Sequence, residues 1–591
     1  MKTSDYIAQF LANQGICDAF VLTGGCIVHI IDSIARAGKI RYIPVQHEQA
    51  GAMAADAYAR ITGNVGLALT TSGPGATNLL TGVCCSYYDS VPVLLITGQV
   101  PAFQLKRNSQ SRQIGFQETD IISIYQSVTK YAKLVDDART IRYELEKALY
   151  VARNGRPGPV LLDICDDVQR AEINPEELDS FEPSLVQTTN ARLPQNLVDQ
   201  VLSLINQSER PLVILGGGVR LAKAVPLARE FIRKTRLPFT LTWAGMDYLS
   251  HDDDLYVGGF GVTSGRPGNF AVQNADLIIA IGTRLDTHET GSNLKTFARE
   301  ARKVVVDIDP AEQEKYEPRG MHVDVLITAD ARDFLEAISA TLGKLVPRDR
   351  SAWLGRIRNW KTKYPICTEE YRRQPARVNP YVFMEELSRL ADEDAIIVTD
   401  CGSNLIWTMQ AFAVHGNQRV ISAFNHSPMG YSLPASMGAA LAASGRQTIC
   451  ITGDGGLQIN IQELATIQRH NIDMKIFVMN NHGHGIIQGT QDNWLDGRHH
   501  AADPECGLPD PDFKRIAQAY SVQTERIDGH HELVEKICKV LKTKGPVLCN
   551  INLPSGTQIA PKLLYGRPIE DSDPLLPRDE FHSNMLVRPI T

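Results

Sequence analysis

TICITGDGGLQINIQELATIQRHNIDMKIFVMNNHGHG, residues 448–485, is the stretch from which the fold is read. An apolar, β-branched run ends at Thr452, Gly453-Asp454-Gly455 turns the chain, and a helical pattern begins near Ile459. After twenty-four residues a second apolar run, 475–479, has ended and Asn480-Asn481 follows. Strand, tight turn, helix and strand make a parallel βαβ unit, and the C-terminal edge of a parallel sheet is where free backbone N–H groups receive phosphates. Asp454 offers a carboxylate and Asn481 an amide oxygen, each from a strand end. Both are hard oxygen donors, suited to an octahedral Mg²⁺ that also touches a diphosphate. A Gly-Asp-Gly turn alone is an ordinary strand end; the pair at this spacing carries the reading.

Working outward, apolar runs alternate with amphipathic helical stretches along all 591 residues, too many for one core. Runs at 15–21, 66–71, 92–97 and 159–163 read as strands of a first domain, residues 1–170. Asp166–Pro194 is acidic, carries three prolines and reads as a linker. A central domain, 190–345, has strands near 211–215, 277–281 and 303–308. The basic, aromatic segment 344–380 holds a second boundary. The third domain, 375–555, has strands at 395–400, 448–452, 475–479 and 547–552, and the tail 556–591 is expected to wrap the body or lie disordered. The fold class is α/β: three doubly wound parallel-sheet domains. With 43% hydrophobic residues, 21% charged and a net charge of −7, the chain reads as a globular protein that gives nucleic acid and anionic membranes no electrostatic hold. The N-terminal stretch shows no secretory pattern, no apolar run approaches a bilayer span, and the 11 cysteines form no CxxC, so a cytoplasmic protein with reduced thiols is expected.

An internal echo joins the first and third domains. HEQAGAMAADAYAR (47–60) and GYSLPASMGAALA (430–442) are both small-residue helices followed by a strand and a Gly-rich turn, SGPG (72–75) or GDGG (453–456). Small side chains let such helices approach a sheet or another helix closely. Glu48 opens the first of them after Val45-Gln46-His47. By itself it reads as a helix-N-terminal carboxylate favoured by the dipole.

TGGC (23–26), HEQAGAMAADAYAR, TSGPGATN (71–78), DSVPVLLITGQVP (89–101), FQETDI (116–121), NGRPGPVLLDI (154–164), NADLIIAIGTRLD (274–286), DIDPAE (307–312) and SPMGYSLPASMGAA (427–440) span nearly all of residues 1–560. Together with the Asp454–Asn481 pair, they resemble the acetolactate-synthase-like branch of the thiamine-diphosphate-dependent enzymes. The resemblance implies an N-terminal pyrimidine-binding domain, a central FAD/nucleotide-binding-like domain and a C-terminal diphosphate-binding domain. It implies Mg²⁺ held by Asp454, Asn481 and the carbonyl of Gly483, with Gly402, Ser403, Asn404, Gly453, Gly455 and Gly456 lining the diphosphate. Glu48 would face N1′ of the aminopyrimidine and favour the imino tautomer that deprotonates thiazolium C2, and Met429 would wedge the cofactor into its bent shape. Gly25, Cys26, Phe116 and Gln117 would flank the substrate. Gly217, Arg284 and Asp307 mark a central site for FAD, although Gln126 stands where the family's flavin-lining Arg precedes the Ser-Val-Thr-Lys motif. Relatives bind ADP or nothing there.

The resemblance also implies a homodimer or homotetramer, with Glu48 of one subunit facing Asp454 of another. The activity expected first is carboligation: a 2-oxo acid, most simply pyruvate, loses CO₂ and its acyl remainder is passed to a carbonyl acceptor. A conventional acetolactate synthase, a decarboxylase, lyase or hydrolase, and a non-catalytic regulatory relative are the alternatives; the joint presence of Glu48, Asp454 and Asn481 opposes the last. The SRQIGFQETDI loop and the tail 569–581 look like relatives tied to cell-surface polysaccharides. His288 stands where acetolactate synthases carry the Arg that receives the acceptor carboxylate, and Thr490 where they carry a Trp. A neutral ketone or keto-sugar acceptor is therefore expected, unless Arg266 or Arg112 replaces that clamp.

Overall fold

The computed structural model of the chain describes residues 1–183, 193–374, 376–443 and 445–590. Among them are seventeen strands in three sheets, parallel throughout. The first sheet holds β1 (Asp18–Leu22), β2 (Arg41–Pro44), β3 (Gly66–Thr70), β4 (Val93–Gln99), β5 (Tyr131–Val135) and β6 (Val160–Cys165), in the order β2-β1-β3-β4-β6-β5. The second holds β7 (Pro211–Leu215), β8 (Phe239–Leu241), β9 (Leu277–Ile281), β10 (Arg302–Asp307) and β11 (Val325–Thr328), in the order β11-β10-β9-β7-β8. The third holds β12 (Ile396–Thr399), β13 (Arg419–Ile421), β14 (Thr448–Gly453), β15 (Lys475–Asn480), β16 (Gln523–Ile527) and β17 (Val547–Asn552), in the order β13-β12-β14-β15-β17-β16. The first and third sheets thus share one strand order, and the echo between the two small-residue helices has its cause in a repeated architecture.

Those helices, Glu48–Thr62 and Ser432–Ala442, pack directly on one another. A Cβ on Gly438 would overlap the carbonyl of Ala54, and one on Gly82 would reach 2.5 Å from the Ala52 methyl. Alanines and glycines bring backbones close enough for dispersion over the whole face, and one apolar cluster runs through both units, from Phe20 and Ala52 to Leu457, Ile467 and Val478.

Three expectations are corrected. The helix after the Gly-Asp-Gly turn starts at Asp454, not near Ile459, because the carboxylate itself occupies the first helical turn. The first part of the supposed linker is ordered: Asp166–Arg170 is helical and Ala171 accepts from Thr3 N at 2.9 Å, while residues 184–192 lie outside the described part. In 344–380, helix Ser351–Lys363 belongs to the central unit, where Trp353 Nε1 donates to Pro211 O at 3.1 Å. The tail wraps that unit rather than lying free. Ile569 and Phe581 enter its core, and Asn269 Nδ2 donates to Ile569 O at 2.9 Å.

Candidate active site

Two half-sites form at the C-terminal edges of the first and third sheets, where parallel strands release the chain into helices. On the third sheet, Asp454 is 7% exposed; its Oδ1 accepts from Gly455 N at 2.7 Å and its Oδ2 from Gly483 N at 2.9 Å. Burial raises its pKa against those bonds. Asn481 Nδ2 and Ser403 Oγ are buried with no partner among the described residues, and both converge on Gly485, where a Cβ would sit 2.8 Å from the first and 3.0 Å from the second. Buried polar atoms without partners are expensive, so a site that leaves two adjacent ones open is shaped for a polar ligand. Gly402, at φ +92°, starts helix Ser403–Ala411, and Asn404 lies 3.4 Å from where a Cβ of Gly453 would be. Met429 reaches over the turn: its Cε would be 3.0 Å from a Cβ on Gly455.

Asp400, unremarked in the sequence, ties these pieces together. It is 1% exposed at the end of β12 and accepts from Cys401 N at 2.8 Å, Gly430 N at 2.9 Å, Ser432 Oγ at 3.0 Å and Thr452 Oγ1 at 3.2 Å. It therefore fixes the Gly402 turn, the Met429–Gly430 turn and the end of β14 relative to one another. A Cβ on Gly456 would meet Asp400 Oδ2 at 2.7 Å, so only glycine fits there. Gln488, 2% exposed, sets its Nε2 3.0 Å from where a Cβ of Gly483 would be, has no partner for its Oε1 among the described residues, and also belongs to this half-site.

On the first sheet, the Thr71–Gly75 turn is the centre. Cys26 N donates to Thr71 Oγ1 at 3.2 Å, and Ser72 Oγ lies 3.4 Å from Cys26 Sγ. Gly25 has open space where a side chain would go. Glu48 is 7% exposed, Asn78 Nδ2 donates to its Oε2 at 3.0 Å, and its Oε1 lies 3.7 Å from a Cβ built on Gly75. Gln117, held at φ +64°, sets its carbonyl against Gly73. Phe116 beside it is 84% exposed. The structure thus brings Glu48, Gly25, Cys26 and Gln117 around one turn, and Asp454, Asn481, Gly483, Gly402, Ser403 and Met429 around another. No hydrogen bond among the described residues joins Glu48, Cys26 or Gln117 to Ser403, Asp454 or Asn481.

A cavity of about 510 Å³ opens where the central unit meets the other two. Gly217, Arg284 and Asp307 line it, with Arg220, Trp243 and His288. Gly218 presses so closely on Gly282 that a Cβ would lie 2.8 Å from its Cα, which leaves a bare backbone wall. Arg284 is engaged by Asn425 and Asp286, and burial raises the pKa of Asp307. His288 bonds Thr263 Oγ1 at 3.0 Å and packs on Trp243, and desolvation holds its pKa well below the usual range, so it is neutral. Arg266 is no substitute clamp: it is buried and donates to the tail carbonyls of Ser572 and Pro574. The Thr490 hydroxyl is spent on Ile486 O at 2.9 Å and adds no free donor. Gln126 sits on the surface at the end of helix Ile121–Tyr125.

Three parallel sheets, with a Gly-Asp-Gly turn at the end of β14 and Asn481 just past the end of the neighbouring β15, define the class, and three family descriptions cover it. Residues 1–124 match the N-terminal TPP binding domain of thiamine pyrophosphate enzymes, 198–338 the central domain, and 400–551 the C-terminal TPP binding domain. The acetolactate synthase large subunit of Parasynechococcus marenigrum is 35% identical over 567 residues, 94% of this chain and 88% of the relative. The acetolactate synthase isozyme 2 large subunit of Escherichia coli is 32% identical over 590 residues, the full length of both. A chloroplastic acetolactate synthase of Oryza sativa is 33% identical over 582 residues, 96% of this chain and 87% of the relative. The chain belongs to the acetolactate synthase family of thiamine-diphosphate-dependent enzymes. These relatives lend no support to the cell-surface-sugar branch. No helix among the described residues is long and apolar enough to cross a membrane.

Proposed function

We propose that the protein is a carboligase of the acetolactate synthase type, taking pyruvate as donor and a second 2-oxo acid as acceptor. The observation that carries the reading is the buried, unpartnered pair Asn481 Nδ2 and Ser403 Oγ converging on Gly485, two residues past the Gly483 amide that donates to Asp454, a polar cradle at the C-terminal edge of a parallel sheet. Among the described residues no three His, Cys, Asp or Glu side chains converge on a metal site. Asp454, the amide oxygen of Asn481 and the carbonyl of Gly483 are instead the donor set, which suits Mg²⁺ beside a diphosphate. Thiamine diphosphate, when bound, supplies an acidic carbon that can store the acyl carbanion equivalent. Glu48 would hydrogen-bond the aminopyrimidine, Met429 would support the cofactor, and Gly25, Cys26, Phe116 and Gln117 would flank the acceptor.

We assign the central cavity to FAD, supported by its bare glycine wall and its place at the junction of the three units. The two half-sites, whose named residues share no hydrogen bond within the described part of one chain, support a homodimer or homotetramer whose sites lie between subunits, and eleven unpaired cysteines suit a cytoplasmic setting.

A second reading keeps the donor and changes the acceptor to a neutral ketone or keto-sugar. It rests on His288, neutral and engaged by Thr263, where an always-charged guanidinium would receive a carboxylate. The test supplies the holoenzyme with labelled pyruvate, alone and with neutral ketones, and reads the products. Acetolactate as the efficient product supports the first reading. A mixed product that displaces acetolactate overturns it in favour of the second.

A further inference from the structure

We propose that Glu463 is the positioning residue for Glu48, fixing from the third unit the backbone that leads into helix Glu48–Thr62. The proposal rests on the role assigned to Glu48 above. Glu463 opens helix Glu463–Arg469 and is 0% exposed. Its Oε1 accepts from two successive backbone amides of the first unit, Gln46 N at 2.9 Å and His47 N at 3.0 Å. These are the two residues before Glu48, and neither amide has another acceptor among the described residues. Its Oε2 lies 3.0 Å from Thr466 Oγ1, which in turn lies 3.1 Å from Pro44 O. Three of the four residues before Glu48 are therefore held by one helical turn of the other unit.

The chemistry of the clasp favours an uncharged carboxyl. Thr466 has one hydroxyl proton and faces two acceptors. A protonated Glu463 donates to Thr466, which donates to Pro44 O, and every group is satisfied. Burial pushes the carboxyl up to about 7, and no Lys or Arg among the described residues pairs with it. A contact that only filled core volume would be apolar, because a buried carboxyl carries a desolvation cost. Here the carboxyl is retained where it sets the direction in which the chain delivers Glu48. The Glu48 side chain has one partner of its own, Asn78.

The experiment compares Glu463→Gln and Glu463→Ala in enzyme loaded with thiamine diphosphate and Mg²⁺. The amide keeps an oxygen for Gln46 N and His47 N and an N–H for Thr466. Glu463→Gln should therefore retain kcat within about threefold, with wild-type hydrogen exchange at residues 45–50. Glu463→Ala strands two buried amides. Exchange at 45–50 should accelerate, exchange at 453–456 should stay unchanged, and kcat should fall on the order of 10²-fold with KM for the 2-oxo acid within about threefold, as expected for a misplaced catalytic group. Wild-type kcat and exchange in Glu463→Ala would overturn the proposal, as would Glu463→Gln being damaged as severely as Glu463→Ala. Should Glu463→Ala not fold, Thr466→Val removes the hydroxyl between Oε2 and Pro44. Faster exchange at Val45–His47 is then expected, and unchanged exchange overturns the proposal. Full turnover in Glu48→Gln would remove the role of Glu48 and leave the exchange results standing, so the two failures are separable.

Discussion

Replacing Asp400 with Ala should damage both the fold and the cofactor site, by an amount its bonds allow to be estimated. The carboxylate accepts from two hydroxyls and two backbone amides. Hydroxyls rotate to new acceptors, and Thr452 Oγ1 already has Gly453 O at 3.2 Å. The amides of Cys401 and Gly430 cannot turn, and each buried amide left unpaired costs about 1–3 kcal/mol. Relief of the desolvation that raises the Asp400 pKa offsets part of that sum, leaving about 3 kcal/mol. Asp400→Asn should cost only about 1 kcal/mol, because Oδ1 alone serves both amides, at 2.8 and 2.9 Å. Urea unfolding gives the stabilities, and calorimetry in Mg²⁺ gives thiamine diphosphate affinity, which should fall at least about tenfold in Asp400→Ala as Gly430 and Met429 move. A loss below about 1 kcal/mol, or equal losses for Ala and Asn, would refute the reasoning.

Gly438→Val should destabilise the fold by about 3 kcal/mol and lower its Tm, since any Cβ there meets the Ala54 carbonyl; an unchanged Tm in differential scanning calorimetry would contradict the helix packing. Asp163, buried and bonded to Thr97 and Gln99, has its pKa pushed up to about 7. A carboxyl whose folded pKa lies above its unfolded value binds more protons when folded, so its contribution to stability falls as pH rises from about 4 to 7. Asp163→Asn should flatten that decline in urea midpoints measured between pH 5 and 7.5, and an identical slope in both proteins would exclude Asp163 as its source.

Five strands escape the sequence reading: β5, β8, β11, β13 and β16. Each is an edge strand of its sheet. Central strands of a parallel sheet are covered on both faces and read as continuous apolar runs, such as Leu277–Ile281. Edge strands are short or half exposed, as in the alternating burial of Val325–Thr328 and the polar Gln523–Ile527, and periodicity does not single them out. The Gly-Asp-Gly turn and Asn481 are legible because their residue types sit at strand ends in a recognisable spacing, whereas Glu48 is singled out only by the resemblance of HEQAGAMAADAYAR to the family. Asp400 and Glu463 are not legible. Each acts on backbone amides contributed by other segments, and a lone carboxyl at the end of AIIVTD or in QEL carries no mark of that.

The central claim, a thiamine-diphosphate site built from Glu48 of one subunit and Asp454 of another, is tested most directly by complementation. Glu48→Gln and Asp454→Ala are each expected to be inactive with pyruvate. Unfolded together in equal amounts and reassembled, they should form mixed dimers in about half of the population, each with one intact site, and recover about one quarter of wild-type activity. Recovery near that level is the predicted result. A mixture as inactive as its parents, with mixed dimers demonstrated by mass spectrometry, would place both residues in one chain's site and contradict the account.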